Sequence, residues 1–492
     1  MELELAATAD TVAGLSRLKA LTACRDGRPR TQSVKIVWHD SPEHALLAEG
    51  LTLAEQRGVR RLERVFPGAA TWLPAQPVPV VAEAPDPAAL PSPLAPLAAF
   101  EGRQTISVHQ FAGQAVVLTM AKGILRSVTA EQPVARLWLS GEEQAVREAA
   151  LVIAGAEPVA VPVSSLAAQA IALATARPAI PRHDGAPLLP PAPLPEQPLR
   201  VIDALMHILG HLIDVILAKA LVAVRLDGEG SEAVHQMRVA VRRARSALSI
   251  FRGAVPAGAL DGVSAALKEL GSRLGPTRDW DVFGEETVPA IQQALPADER
   301  LERLILATSR RRRACQKALA AYLQSSAFRM LGIELAWFAA AGFWHVVPEA
   351  AAGEETAQPL PLETFANQVL QHRWKQLLSS GKKIEELDVP SLHGVRLRAK
   401  RARYAAEMFS ALYHGKTPHR FVRRLSALQQ RLGVLNDGAV ATHLLAELGG
   451  PGGRHAYATG IIIGFLAARA ARIRPQIVRS FERFKRQPAY WA

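Results

Sequence analysis

The spacing of hydrophobic positions changes once along the 492-residue chain. Before about residue 177 there are short β-like runs at Ser33–Trp38, Thr105–His109, Ala115–Thr119 and Val134–Leu139. Between them, His44–Arg57 and Glu142–Ala156 carry helical spacing,. That mixture predicts an α+β N-terminal domain. From Leu199 onward nearly every window repeats Leu, Ala, Ile and Val at helical spacing, with Gly or Pro as punctuation,. An all-α domain is predicted there.

Proline marks the joints. Residues 178–198 hold eight prolines and cannot propagate a helix or a central strand,. The predicted organisation is therefore a domain at 1–177, a linker at 178–198 and a helical domain at 199–492. A second stretch with eight prolines, Pro74–Pro96, is expected to be a long loop inside the first domain or a divider of it,. The longest uncharged apolar run, Ala456–Ala468, is ended by Arg469 and Arg472. It is too short to span a bilayer and is expected as a buried helix. The start MELELAATAD lacks the basic-then-apolar order of a signal peptide,. No membrane partner is expected.

Composition sharpens this picture. Hydrophobic residues make up 49% and aromatics 5% of the chain, enough for packed cores and in favour of helices over a large β assembly. Cys24 and Cys315 lie far apart and fit no CxxC or Cys/His spacing. Neither a disulfide scaffold nor a metal site is expected, and a reducing cytoplasm is the natural compartment. The net charge of +13 is uneven. Residues 1–190 carry 17 Lys and Arg against 18 Asp and Glu, whereas the rest carries 41 against 27. An anionic partner is thus expected for the helical part.

That part contains a repeat. His235, Arg238, Arg242, Arg243 and Arg245 match His393, Arg396, Lys400, Arg401 and Arg403 at a constant offset of 158. The same offset maps Leu267, Leu270, Arg273, Leu274, Gly275 and Asp279 onto Leu425, Leu428, Arg431, Leu432, Gly433 and Asp437. Two blocks in one register imply duplication, with copies at about 199–350 and 360–492. On a helix, His235, Arg238, Arg242 and Arg245 fall within roughly 80° of one another and form a stripe about 15 Å long. His393, Arg396, Lys400 and Arg403 form its twin, while Arg243 and Arg401 point roughly 160° away from Arg245 and Arg403.

Solvated helix faces usually interleave charges of opposite sign, and neither stripe contains a carboxylate,. An external anion would relieve the repulsion. Asp279, Asp281 or Asp437 could instead pair with part of the set across the bundle. The leading histidines suit an anion contact as imidazolium. No metal spacing, nucleophile or carboxylate pair recurs beside them, so neither catalysis nor a cofactor is expected.

These residues resemble the CHAD family, the conserved-histidine α-helical domain. HxxRxxxRRxR then LGxxRDxD, and HxxRxxxKRxRY then LGxLND, occur in order as His235–Arg245, Leu274–Asp281, His393–Tyr404 and Leu432–Asp437. The resemblance spans about 199–492. It implies two pseudo-symmetric antiparallel helical bundles whose basic surfaces bind inorganic polyphosphate, with residence on polyphosphate granules and contact with granule-associated proteins.

Residues 1–177 resemble a worn CYTH domain, the triphosphate tunnel fold. MELEL resembles the ExExK strand, WHDSPEHALLAEGLTL the segment read as YFDTP…L…G..LRLR, and LWLSGEEQAVREAALVIAG the last strand and helix. The resemblance implies a degenerate antiparallel β tunnel. Ala6 replaces the expected lysine, and Leu51–Arg57 lacks the arginine alternation. Glu2 and Glu4 are expected to be solvent-facing strand residues, and no triphosphatase activity is expected. The leading function is thus non-catalytic polyphosphate binding. A nucleic-acid binder is the runner-up, disfavoured by the few aromatics near the stripes, where Tyr404 and Phe251 are the nearest,. A metal-dependent triphosphatase comes third.

Overall fold

The computed structural model describes residues 2–65, 80–162, 164–175, 194, 199–295, 298–340 and 360–491. Apart from Leu194, the linker predicted at 178–198 lies outside the described residues, as does the stretch joining the two repeat copies up to residue 359. The chain divides into two compact units. One is Met1–Leu189 with Ile213–Ala218 and Tyr322–Val347; the other is Pro190–Leu212, Lys219–Ala321 and Pro348–Ala492.

The first unit is built on eight antiparallel strands: β1 (Glu2–Ala7), β2 (Arg25–Asp40), β3 (Leu51–Gln56), β4 (Val59–Arg64), β5 (Val80–Glu83), β6 (Ala95–Phe111), β7 (Gln114–Ser127) and β8 (Glu131–Gly141). Their order is β1-β8-β7-β6-β2-β3-β4-β5, so β1 and β5 are the two edges. Its first helices are α1 (Ala9–Leu15), α2 (Lys19–Ala23), α3 (Ala45–Ala48), α4 (Glu143–Ala156) and α5 (Leu166–Thr175).

Period-2 alternation gives the sheet two faces. Leu3 and Leu5 lie opposite Leu139 and Leu137 in register, and all four are buried. α4 packs on β6, β7 and β8 and buries Ala145, Val146, Ala149, Ala150 and Ile153, mostly small residues. On the other face Trp38, Phe100, Ala121 and Leu125 pack with Leu166, Ala167 and Ala170 from α5. Gly102 and Gly123 face each other in the central strand pair. A Cβ on Gly102 would stand 2.3 Å from the Lys122 carbonyl oxygen.

Two expectations need correction here. The helix expected over His44–Arg57 is one turn, α3, followed by strand β3. Gly50, at φ 72°, turns the chain between them,. Asp40 uses up the turn's free amides, accepting from Leu46 N at 2.9 Å and Leu47 N at 3.0 Å. Glu4 does not face solvent; it is 3% exposed and pairs with Arg136 Nε at 3.1 Å. Glu2, two residues earlier, is exposed. The described part of the stretch Pro74–Pro96, from Val80, lies in this unit and carries the short edge strand β5.

The remaining helices are α6 (Val201–Ala223), α7 (Gly228–Phe251), α8 (Asp261–Val282), α9 (Val288–Ala294), α10 (Glu299–Gln324), α11 (Ser326–Ala340), α12 (Leu362–Ser380), α13 (Val389–Met408), α14 (Thr417–Glu447) and α15 (Ala456–Lys485). The C-terminal region is helical, as its spacing predicts. α11, however, belongs to the first unit and packs on α4. Arg147 pairs with Glu334 at 2.7 Å, and Arg329 Nε donates to the Ala154 carbonyl at 2.9 Å.

In the second unit one core joins Trp280, Phe283, Ile291, Leu301 and Leu304 to Leu444, Leu445, Ile462 and Leu466. A second brings Phe251 within 5.0 Å of Phe365 and 6.0 Å of Phe409, ring centre to ring centre. The apolar run Ala456–Ala468 is only partly buried, contrary to expectation. It buries Ala458, Thr459, Ile462 and Leu466, while Tyr457, Gly460, Gly464 and Ala467 are exposed. Glycine and alanine make the run read as apolar without supplying side chains that need a partner. Including its continuation to Lys485, α15 is long and apolar enough to cross a membrane by length and composition alone, as is α6. The apolar window of α6 is 67% buried, that of α15 22%.

Candidate functional site

Local chemistry fixes where the stripe-bearing helices begin. Asp227 caps α7 by accepting from Gly230 N at 3.0 Å, and Asp388 caps α13 by accepting from Ser391 N at 2.9 Å,. A Cβ on Gly230 would stand 2.0 Å from the Arg225 carbonyl oxygen, so only glycine fits there. Both helices then bury alanine-rich seams: Ala233, Ala240, Ala244 and Ala247 in α7, and Ala399, Ala402, Ala405 and Ala406 in α13. The two helices pack against each other, α7 also against α8, and α13 also against α12 and α14.

At the α7–α13 contact, Glu407 takes two arginines, Arg243 at 2.6 Å and Arg403 at 3.6 Å. Both guanidinium groups also lie near the buried Tyr404 ring, at 5.1 and 5.3 Å from its centre,. Of the predicted site residues, Arg243 and Arg403 are thus engaged by a carboxylate and an aromatic ring in the helix contact.

Beside it lies a cavity of about 480 Å³. His235, Arg238 and Arg242 enter from α7, Arg278 and Asp279 from α8, Arg396 from α13, and Gln429, Gln430, Gly433 and Asp437 from α14. Glu286, in the π-helical turn Phe283–Thr287 that follows α8, completes the polar wall. Both stripes therefore reach one groove. Arg245, His393 and Arg401 are exposed and do not line it.

Lys400 stands one turn beyond Arg396 and is partly buried. Its ammonium is pulled down to about 8, first by desolvation and then by Arg242, Arg396, Arg238 and Arg401,. Burial likewise lowers Arg242; Tyr404 opposes the shift, while Arg238, Arg403 and Arg243 add to it. Among the described residues, Arg242, Arg396 and Lys400 form no ion pair, and the Nε groups of Arg242 and Arg396 are buried without a hydrogen-bond partner. A buried, unpaired guanidinium N–H is costly. An anion in the groove would offset the mutual repulsion of these cations.

His235 is lowered by desolvation, then by Arg278 and Arg242, against the opposing pull of Glu232 and Glu286. Asp279 and Asp437 are raised, foremost by desolvation, although Arg238 and Arg278 oppose the shift at Asp279 and Arg396 does so at Asp437.

Residues 158 positions apart are not used alike. Arg238 pairs with Asp279 at 3.3 Å, whereas Arg396 makes no such pair with Asp437. A Cβ on Gly275 would meet Arg238 Nη1 at 3.2 Å; one on Gly433 would meet open space. Asp281 pairs with none of the stripe arginines. It is fully buried and held by Arg312 at 2.6 Å and by Gln316 at 3.1 Å. Arg312 also binds Glu285 and donates to Ser231 Oγ at 3.2 Å.

Arg278, Glu286, Gln429 and Gln430 were missed as lining residues. Arg278 lies inside the LGxxRDxD block and could have been named from it. The other three carry no pattern in the sequence.

The first unit has a cavity of its own, about 370 Å³. Glu2, Glu4, Arg61 and Glu63 lie on its wall with Val34, Ile36, Trp38, Phe100, Ala121 and Trp138. Burial raises Glu63, against Arg61, and raises Glu2, against a Ser140 hydrogen bond.

A helical unit with two cation-bearing helices facing one groove defines a basic α-helical module. The family description "CHAD domain" matches residues 199–446, and the chain belongs to the CHAD domain family. The crystal structure of the CHAD domain from the plant Ricinus communis is similar at 30% identity, covering 60% of this chain and 96% of that one, with a TM-score of 0.50. PptA from Streptomyces chartreusis aligns at 17% identity over 58% of this chain and 100% of its own, with a TM-score of 0.41. No curated protein matches the chain.

Proposed function

We propose that the helical unit binds inorganic polyphosphate without cleaving it, in the groove lined by His235, Arg238, Arg242, Arg278 and Arg396, with Lys400 beside it. The carrying observation is the gathering of Arg242, Arg396 and Lys400 without a carboxylate partner among the described residues, with two buried guanidinium N–H groups left open. A chain of phosphoryl groups supplies acceptors at regular spacing, and arginine binds such oxygens in forked geometry. Residence in the cytoplasm, on polyphosphate granules beside granule-associated proteins, follows from this reading. The resemblance in the two repeat copies supports a two-bundle arrangement in which each copy presents one stripe.

The first unit fits a worn CYTH-like tunnel, supported by its eight antiparallel strands and by Glu2 and Glu4 on one face of β1. A metal-bound triphosphate would need several free inward carboxylates and cations. Here Glu4 is tied to Arg136 and much of the wall is apolar. These residues do not fit that group, and no hydrolytic step is assigned.

The test is direct binding to polyphosphate of graded length by wild type, R242A and R396A. Both variants are expected to lose affinity at least tenfold, with unchanged stoichiometry, because the stripes share a groove. Halved stoichiometry at full affinity would overturn the shared groove. Efficient displacement of bound polyphosphate by duplex DNA or RNA at equal phosphate concentration would favour a nucleic-acid partner instead.

A further inference from the structure

We propose that the cavity of the first unit is a binding site for an organic cation, an amine or quaternary ammonium group carried on an apolar body. The site is independent of polyphosphate binding by the helical unit.

Strand register sets out two stretches of its wall. In one, Trp38 on β2 stands across from Ala54 on β3, which stands across from Arg61 on β4. Glu63 follows Arg61 on the same face of β4. In the other, Trp138 on β8 lies between Glu4 on β1 and Thr119 on β7. Glu2 comes next on the same face of β1. Phe100, from β6, adds a third aromatic ring to the cavity that all these residues line.

Ten of the eighteen lining residues are apolar, a wall unsuited to a bare inorganic anion or a hydrated metal ion,. The charges on it favour a cation. Glu4 is tied to Arg136 at 3.1 Å, but Glu2 and Glu63 form no ion pair among the described residues. Arg61, the lining cation among the described residues, is exposed and reaches Glu83 at 3.9 Å. Burial already raises the carboxyl groups of Glu63 and Glu2, and a cation beside them would reverse that shift,.

The rings point the same way. Trp38 is 2% exposed, and its indole N–H meets no acceptor among the described residues. Buried tryptophans usually satisfy that group. A purely apolar side chain would fill the place without the cost, so the indole is explained by the ring it adds to the cavity wall. Of the aromatic side chains, tryptophan attracts cations most strongly through its ring face. An ammonium group thus takes up both kinds of wall, the rings by their quadrupole and the carboxylates by their charge. Its alkyl or aryl remainder covers the aliphatic part. At about 370 Å³ the cavity lies near the lower end of the range for small-molecule sites, roughly 300–1,000 Å³,.

The full-length protein is titrated by calorimetry with benzyltrimethylammonium, and in parallel with benzyl alcohol and phenylmethanesulfonate, which keep the ring and change the charge. The cation is expected to bind at least about tenfold more tightly than either. E2Q/E63Q is expected to lose most of that lead while its affinity for benzyl alcohol stays unchanged. W138L is expected to weaken the cation and the alcohol together. Both variants are checked for a native melting transition, and E2Q/E63Q decides alone if W138L does not fold.

No binding, or equal affinity for the three probes, would overturn the proposal. So would a lead that survives intact in E2Q/E63Q. Displacement of the cation by inorganic triphosphate would return the cavity to an anion. Displacement by polyphosphate would place the probe in the helical groove, whose wall also holds carboxylates.

Discussion

At the residue scale the groove works against the fold that contains it. Lys400 has a folded-state value of about 8, below the ordinary 10.5. Between those values the unfolded chain holds more protons than the folded one, so stability rises as pH climbs from 8 to 10.5. Below 8 the full penalty is present. K400M should therefore raise stability at pH 7 by about 1–2 kcal/mol after allowance for solvent screening, in denaturant titrations without anion, while weakening polyphosphate binding. Binding should also respond to pH. A bound polyanion lifts both Lys400 and His235, so association takes up protons, and affinity should fall as pH rises through the histidine range and again above 8. Calorimetry in two buffers of different ionisation enthalpy measures the proton uptake; none at pH 8 would contradict this.

Much of this residue chemistry was open to a reading of the sequence, because like charges at helical spacing within one helix are local. Arg238, Arg242 and Arg396 line the groove, but Arg245, His393 and Arg403 of the same stripes do not, and the spacing left open whether the stripes would share one groove. What could not be read is which distant carboxylate claims which arginine. Glu407 lies 164 positions from Arg243, and Arg136 lies 132 positions from Glu4. Register between elements decides both pairs, and nothing local encodes it. Glu4 sits in an ordinary-looking strand until β8 places Arg136 in the register facing Ala6 beside it.

At the element scale, the helices are fixed by where small residues permit contact. Gly381 ends α12, and a Cβ there would meet the ring of Phe481 in α15 at 2.1 Å. Phe481 is 2% exposed and cannot swing away. G381A should destabilise the helical unit by about 2 kcal/mol or more in chemical denaturation. Gly433 is the opposite case: it lies in α14, and its Cβ would meet open space. G433A should stabilise by about 0.5–1 kcal/mol through helix propensity. The two glycines look alike in sequence, since each interrupts a helix-rich stretch. Only the packing partner separates them. The expected helix over His44–Arg57 failed because Gly50, at φ 72°, turns the chain out of the helix and β3 pairs with β4 from Leu51 onward,.

At the scale of the whole molecule, the charge distribution was the most legible feature. It arises from counting over hundreds of residues, where single errors average out. The division into units was less so. α11 lies inside the stretch matched as a CHAD domain, 199–446, yet belongs to the unit that contains the sheet. Its apolar spacing says that it needs a partner surface, not which one. Polyphosphate should raise the melting temperature of the intact protein, with the gain growing with ligand concentration and shrinking as salt is added. The same shift in R242A/R396A would place the ligand elsewhere.

Asp279, Glu286 and Asp437 stand on the same wall as the arginines. The groove thus already contains tethered counter-ions, as a charged resin contains mobile ones. A single small anion must compete with residents that lose no translational freedom by staying, and it gains little. A polymer pays that entropic penalty once and then contributes many charges. Asp279, paired with Arg238, and Glu286, paired with Arg278, therefore set an entry threshold that dense, multivalent anions cross more readily than single small ones,.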